Sequence, residues 1–211
     1  MRLVVGKEPL RGILKWVRRA LYASAVLLWG YCGFAMADAW IFQWRGSRDL
    51  DHRLVDRQAA SGGAAQPACF TSLRDAPGVA TDGLIGRIKI PRLLFSAVVL
   101  EGIDKTTLRR AVGHIPGTAL PGEPGNVGLS GHRDTFFRPL KDVRIKDEVD
   151  FSTPQGDFRY EVVSLRVVQP EDVEVLAPSG ENVLTMVTCY PFYFVGPAPK
   201  RWIVRARQVV R

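Results

Sequence analysis

The sequence predicts an all-β domain, a closed or nearly closed barrel with one or two short helices, preceded by an N-terminal transmembrane helix. From about residue 81 onward, short apolar runs are separated by Gly and Pro, as is typical of all-β domains. Before that region, residues 20–37 form a stretch of eighteen residues without a charged side chain. The 211 residues have room for one folded domain and an appendage.

The N-terminal region has the charge pattern of a membrane anchor. Residues 1–19 hold six basic side chains and one acidic one, so most of the net charge of +8 lies there. An eighteen-residue helix is about 27 Å long, close to the thickness of a hydrocarbon core of about 30 Å. We therefore predict a basic cytoplasmic tail over 1–19 and a single-pass anchor in the cytoplasmic membrane over 20–44. The basic residues predict that the N-terminus lies inside and the remaining chain is extracytoplasmic.

A cleaved signal peptide is the alternative interpretation of the same segment. Ala35-Met36-Ala37 fits a signal-peptidase site after an apolar stretch. Tryptophans at positions 16, 40 and 44 flank the run as interfacial anchors do, which favours a retained helix. Both interpretations export the folded domain. The small remaining excess of basic residues does not favour nucleic-acid binding.

The segment 45–80 is predicted to be a flexible stalk, and residues 81–211 a folded domain. The stalk is rich in Arg, Asp, Gln, Ala and Gly, and its residues 61–67 have almost nothing to bury. A short amphipathic helix through Leu50 and Leu54 is expected within it.

The folded domain contains seven strand-forming runs and one helix signal. The helix is predicted over 104–112, with Asp104 as its N-cap and Gly113 at its end. Together these elements predict seven or eight strands. The runs are 85–90, 97–100, 126–130, 148–153, 158–168, 183–189 and 202–210.

Cys189, at the end of a predicted strand, is the candidate nucleophile. A cysteine thiol is mostly protonated at neutral pH and needs a nearby cation or histidine to become reactive. His132, in a glycine turn, and Arg201, at the start of the next strand, are the candidates for these roles. The loop 190–200 between the two strands, rich in Pro and aromatic residues, is expected to wall the pocket. The alternative for Cys189 is a buried apolar filler.

Other residues compete less well for these roles. His114 is interpreted as a loop or packing residue, and His52 lies in the predicted stalk. Asp134 could orient an imidazole, but aspartates in turns usually cap a backbone N–H. Arg205 shares a strand face with Arg201 but lies further from the loop.

No cofactor or metal is predicted. Gly122-Glu123-Pro124-Gly125 lacks the Lys-Ser/Thr pair of a phosphate-binding loop, and no His/Cys pair has zinc spacing. The acidic residues at 171, 172 and 174 are interpreted as a solvated turn rather than a calcium site.

Three segments in this order resemble the sortase family, and most closely its class D. The resemblance covers about residues 81–211, and it implies that they form the catalytic domain. The segments are AVGHIPGT at 111–118, PG through GHRDTFF at 121–137, and TMVTC at 185–189 followed by Arg201, with YPF at 190–192 downstream.

The resemblance implies an eight-stranded β-barrel that catalyses transpeptidation. Cys189 would attack the Thr carbonyl of an LPXTG-like sorting signal and form a thioacyl-enzyme. His132 would transfer protons to and from the amines, and Arg201 would hold the carbonyl oxygen. Thr188 resembles a substrate-contacting position. Met186 stands where the family usually has Leu, a swap of similar volume that cores tolerate.

The implied partners are surface proteins with a C-terminal sorting signal, and an amine acceptor on the cell envelope or on a pilin subunit. Two alternatives remain for the function. A hydrolytic cysteine peptidase would use water in place of the amine, and a catalytically silent barrel would only bind peptides.

Overall fold

In a computed structural model of the chain, the described residues are 7–61, 83–194 and 196–209. The chain divides into two units, residues 1–41 and residues 42–211. Helix α1 covers Lys7–Ser61 and contributes to both units. The predicted boundaries at 19, 44 and 80 stay predictions, and residues 62–80 lie outside the described residues.

The second unit contains eight strands and one further α-helix. The strands are β1 (Leu84–Ile90), β2 (Phe95–Glu101), β3 (Val112–His114), β4 (Asn126–Ser130), β5 (Glu148–Ser152), β6 (Asp157–Val168), β7 (Val183–Tyr190) and β8 (Lys200–Gln208), and the helix is α2 (Lys105–Arg110). Short 3₁₀ helices cover Pro91–Leu93, Arg138–Asp142 and Val173–Leu176.

The eight strands close into a barrel in the order β1-β2-β3-β4-β7-β8-β6-β5. The pairs β2–β3 and β4–β7 are parallel, and the other six pairs are antiparallel. Closure removes the exposed strand edges that invite aggregation. The predicted all-β barrel is confirmed, and its strand number is eight.

The barrel interior is filled by alternate residues of each strand. Leu184 and Met186 of β7, like Val204 and Ala206 of β8, belong to the continuous apolar core. Successive side chains of a strand point to opposite faces. Residues 185, 187 and 189 of β7 and residues 201, 203 and 205 of β8 therefore share the outer face of the barrel.

Strand β3 was not predicted as a strand, because Val112 was placed at the end of the predicted helix, Gly113 at its stop and His114 in a loop or packing role. The helix begins where predicted, since the Asp104 side chain accepts hydrogen bonds from the backbone N–H groups of Thr106 and Thr107. It ends at Arg110, and Val112–His114 then pairs with both β2 and β4. The three-residue strand is stabilised by these two neighbours rather than by its own sequence.

The first part of α1 exposes a large apolar surface. Trp16, Leu27 and Trp29 are among its most exposed side chains, and the apolar stretch lies within Ile13–His52. Among the described residues, α1 is the one helix long and apolar enough to cross a membrane.

The last part of α1 belongs to the second unit and packs on β1 and β2. Leu50 is fully buried against Leu84 and Val98, and Leu54 packs beside them. The Gln43 side chain accepts a hydrogen bond from the backbone N–H of Val98 at 2.9 Å. The short helix expected through Leu50 and Leu54 is present as part of α1, and the segment predicted as a flexible stalk is helical as far as Ser61, because this face has an apolar surface to cover.

Candidate active site

Cys189 and Arg201 lie directly opposite each other in the β7–β8 ladder. In an antiparallel pair, residues in register have Cβ atoms about 4.5–5.5 Å apart and point to the same face. Cys189 is a free, half-buried cysteine. The ladder therefore places the two side chains next to each other on the outer face, at the end of the barrel where β7 ends and β8 begins.

His132 follows β4, the neighbour of β7 on the other side. The parallel register pairs Ser130 with Val187, and the backbone N–H of Gly131 donates to the Val187 carbonyl at 3.3 Å. The Thr188 hydroxyl donates to the Gly131 carbonyl at 2.7 Å and is buried. These bonds fix the residue before His132 to the residue before Cys189, so the imidazole is delivered to the same end of the barrel.

Cys189, His132 and Arg201 lie at one end of the barrel, but in the described part of the chain the imidazole and the guanidinium are not hydrogen-bonded to the thiol. His132 is exposed. Within the described residues, no hydrogen bond joins its imidazole to the Cys189 thiol. Arg201 Nη1 donates to the carbonyls of Ala198 and Lys200, at 3.2 and 3.0 Å. Catalytic hydrogen bonds are often long in unliganded enzymes and tighten when substrate binds.

The connection from β6 to β7 covers the outer face further along β4. The Asn126 amide donates to the carbonyls of Val175 and Ala177, at 3.0 and 3.2 Å, and accepts from the Thr185 hydroxyl at 2.7 Å. An added Cβ at Gly128 would come within 2.9 Å of the Thr118 methyl group and 3.1 Å of Leu176 Cδ2, so Leu176 of the connection packs closely on β4 there. These contacts are made at positions 126 and 128 of β4, whereas His132, beyond the other end of this strand, is exposed.

A groove of about 490 Å³ lies on the outer face beside this cover. It begins next to Arg201, because Val168 is the partner of Arg201 in β6. Its walls combine basic and acidic side chains. The lining residues are Ser164, Arg166, Val168, Asp172, Glu174, Val175, Ile203 and Arg205.

Aromatic residues support the loop 190–200 on its barrel side. Tyr190 stacks on Trp202, with ring centroids 6.0 Å apart, and Phe192 meets the same indole edge-on at 6.4 Å. Trp202 Nε1 donates to the Leu140 carbonyl at 3.2 Å. Tyr193 and Phe194 point outward, with 76% and 45% of their surfaces exposed. The loop therefore combines a packed base with an exposed aromatic tip.

The residues that competed for catalytic roles occupy other places. His114 is buried, with Nδ1 2.8 Å from a Glu101 carboxylate oxygen and Nε2 3.0 Å from the Ala119 carbonyl, as expected of a packing residue. His52 is exposed on α1, and Asp134 is exposed in the turn after His132. Arg205 lies opposite Thr185, not opposite Cys189.

The sequence argument missed two residues of this region. Gly131 lies against the ring of Phe137, where an added Cβ would come within 2.8 Å of Phe137 Cδ2. Arg133 donates hydrogen bonds to the carbonyls of Pro191, Phe194 and Gly196. The sequence offered one signal for a role of Gly131 and Arg133, which is that they flank His132 in the segment Gly-His-Arg.

Comparisons with known proteins agree with this arrangement. The family model of the sortase domain matches residues 88–209, which contain all the residues of the candidate site. Sortase D of Bacillus subtilis (strain 168) is 31% identical over 193 residues, which cover 90% of this chain and 96% of the relative.

Solved structures are similar as well. A sortase D5 transpeptidase of Clostridium perfringens is 31% identical, with a TM-score of 0.55, over 61% of this chain and 80% of the other. The lid mutant of sortase A from Corynebacterium diphtheriae is 29% identical, with a TM-score of 0.59, over 78% of this chain and 96% of the other.

Proposed function

The chain belongs to the sortase family of cysteine transpeptidases, and we propose that it cleaves an LPXTG-like sorting signal at Thr and transfers the acyl group to an amine. The observation that supports this most directly is the register pairing of Cys189 with Arg201. It aligns a thiol with a fixed cation on an open face, as acyl transfer requires.

The first half-reaction forms a thioester. Cys189 Sγ gives its proton to His132 and attacks the carbonyl carbon of the Thr residue, and the negative charge develops on the carbonyl oxygen beside Arg201. The guanidinium exchanges its hydrogen bonds with Ala198 and Lys200 for bonds to this oxygen. The C–N bond then breaks, and His132 gives a proton to the leaving amine.

The second half-reaction reverses these steps with a new amine. The incoming amine attacks the thioester carbon, His132 accepts its proton, and the Cys189 thiolate leaves. The peptide acyl group is now joined to the acceptor by an amide bond, and the enzyme is regenerated. Thr188 contributes by holding Gly131, and its direct contact with substrate stays a prediction.

Substrate and location follow from the same proposal. An extended peptide lies along the outer face, where the groove beside Arg201 offers both basic and acidic partners. Sortases are membrane-associated, and α1 is the candidate anchor. We propose an inside N-terminus and an extracytoplasmic barrel, because the basic residues precede the apolar segment. The donors are surface proteins with a C-terminal sorting signal, and the acceptor is an amine of the envelope or of a pilin subunit.

The test uses the full chain in detergent micelles, since the helix that packs on β1 and β2 is part of the second unit. A peptide with an LPXTG-like motif, labelled at its N-terminus, is incubated with the protein with and without an added amine such as triglycine. Products are separated and identified by mass. Cys189→Ala is the matched variant that retains the fold without the nucleophile.

A ligated product that requires both Cys189 and the amine supports the proposal. Cleavage at Thr without any ligated product, at a rate that does not change with the amine concentration, would identify a hydrolytic peptidase instead. Peptide binding without any turnover, equal in wild type and Cys189→Ala, would identify a binding protein.

A further inference from the structure

Arg133 is joined to the loop that connects the candidate nucleophile to the candidate oxyanion residue. Its Nη1 donates to the Pro191 carbonyl at 3.0 Å, and its Nη2 donates to the carbonyls of Phe194 and Gly196 at 2.7 and 2.9 Å. The guanidinium also lies 5.9 Å from the centroid of the Phe194 ring. A single side chain thereby holds both the beginning and the tip of the loop.

These contacts suit arginine and no other side chain. The guanidinium is planar and carries five N–H donors in a fixed fork, so it can bond several carbonyl oxygens at once. Among the described residues Arg133 forms no ion pair with a carboxylate. Its polar contacts are therefore directed to the backbone of the loop.

The same loop is also bonded by Arg201. The Arg201 guanidinium donates to the carbonyls of Ala198 and Lys200, and Arg133 donates to the carbonyls between 191 and 196. The loop thus lies between the residue next to His132 and the residue that faces Cys189. A shift of the loop would change the position of the imidazole relative to the guanidinium and the thiol.

The turn that contains His132 is otherwise well fixed. The Gly131 carbonyl accepts from Thr188, and the His132 carbonyl accepts from the backbone N–H of Phe137 at 3.0 Å. These bonds join the turn to β7 and to the residues that follow it, but they do not join it to the 190–200 loop. The bonds of Arg133 supply this connection.

We propose that Arg133 is a positioning residue for acyl transfer, which fixes the 190–200 loop against the His132 turn so that imidazole, thiol and guanidinium meet at the substrate carbonyl. This inference rests on the proposed transpeptidase function. Arg133 itself does not contact the reacting atoms. Its contribution comes from alignment, and a misplacement of about 1 Å can lower a catalytic rate about 100-fold.

The experiment compares Arg133→Ala and Arg133→Lys with wild type and with Arg109→Ala, which replaces an exposed arginine on α2. Each full-length protein in micelles is assayed for kcat and KM of amine-dependent ligation of the labelled peptide. Melting temperature and hydrogen exchange of the loop amides are measured on the same samples. These two readouts separate alignment from unfolding.

Arg133→Ala is expected to lower kcat about 10- to 100-fold, with KM and melting temperature nearly unchanged and loop amides exchanging faster. Arg133→Lys is expected to recover only part of the loss. Its ammonium group keeps the charge and can bond a loop carbonyl, but it cannot bond three separated carbonyls in a fixed plane. Arg109→Ala should behave as wild type. Should Arg133→Ala fail to fold, the kcat of folded Arg133→Lys decides the question in the same way.

Wild-type kcat in a folded Arg133 variant would overturn the positioning role while leaving the proposed function intact. A loss of kcat that only parallels a lower melting temperature would overturn it too, because the role would then be structural. Absence of ligated product from the wild type would instead refute the proposed function, and this inference with it.

Discussion

Replacing Arg201 by alanine removes the cation that faces Cys189 across the β7–β8 ladder. If the guanidinium stabilises the developing oxyanion, its loss should raise the activation barrier by about 2.7–4 kcal/mol, the cost of removing one oxyanion-hole donor. That cost corresponds to a 100- to 1,000-fold lower kcat. The KM for the peptide should change far less, because the interaction is made mainly in the transition state.

Arg205 provides the matched control for this substitution. It lies on the same face of β8, four residues beyond Arg201, or about 13 Å away at about 3.3 Å per residue. Its partner in β7 is Thr185 rather than Cys189. Arg205→Ala therefore removes the same charge from the same strand face without reaching the carbonyl oxygen. Because Arg205 also lines the groove proposed for the peptide, its loss should change KM rather than kcat.

The assay measures initial rates of ligation of the labelled peptide to triglycine, with melting temperatures recorded for both variants. Arg201→Ala should lose most of its kcat, whereas Arg205→Ala should keep a kcat within a few-fold of wild type. Full activity of folded Arg201→Ala would refute the assignment of the oxyanion role. An equal or larger kcat loss in Arg205→Ala would transfer that role to Arg205.

Three further substitutions test the scaffold of the site. Gly131→Ala should lower stability by about 1–3 kcal/mol and also lower kcat, because its Cβ would press on the buried Phe137 ring and displace the next residue. Leu50→Ala should cost about 2–5 kcal/mol, because Leu50 is fully buried where α1 packs on the barrel. The Arg92 guanidinium, hydrogen-bonded to Asp147, lowers the pKa of that carboxyl. The ion pair therefore contributes stability above about pH 4, the ordinary range of an unfolded aspartate, and this contribution is lost as pH falls below it. The difference in melting temperature between wild type and Asp147→Asn should accordingly be largest near pH 7 and shrink towards pH 3.

Melting curves and rate measurements decide each of these outcomes. A Gly131→Ala protein with wild-type kcat would show that the turn tolerates displacement. Val55→Ala, at an exposed position on the same helix, is the control for Leu50→Ala, and equal melting temperatures of the two would contradict the packing of α1. A melting-temperature difference for Asp147→Asn that is constant from pH 7 to pH 3 would contradict the ion-pair explanation.

Much of the barrel was predictable, because its longer strands either alternate apolar and polar residues or are apolar on both faces. The strand Asn126–Ser130 was predicted with its observed bounds, and the consecutive strands β7 and β8 were expected to place Arg201 over Cys189. Strand β3 was not predictable, because three residues contain too little pattern and only their pairing with β2 and β4 in the folded chain makes them a strand.

The packing of the helical segment on β1 and β2 and the contacts of Arg133 were missed for different reasons. Composition suggested a flexible stalk, but one buried leucine and the Gln43 bond to strand β2 attach the helix to the barrel. The bonds of Arg133 end on backbone carbonyls, which every residue has, so no residue type in the loop identifies them. Only the folded chain brings such partners together.

The central claim is that Cys189 forms the covalent intermediate of an acyl transfer. Intact-mass measurement of the full chain, quenched with acid during turnover of the peptide without amine, tests this most directly. We expect an adduct with the mass of the peptide up to Thr, mapped to Cys189, which disappears on addition of triglycine as ligated product forms. An adduct mapped to Cys32 or Cys69, or ligation that continues in Cys189→Ala, would contradict the account.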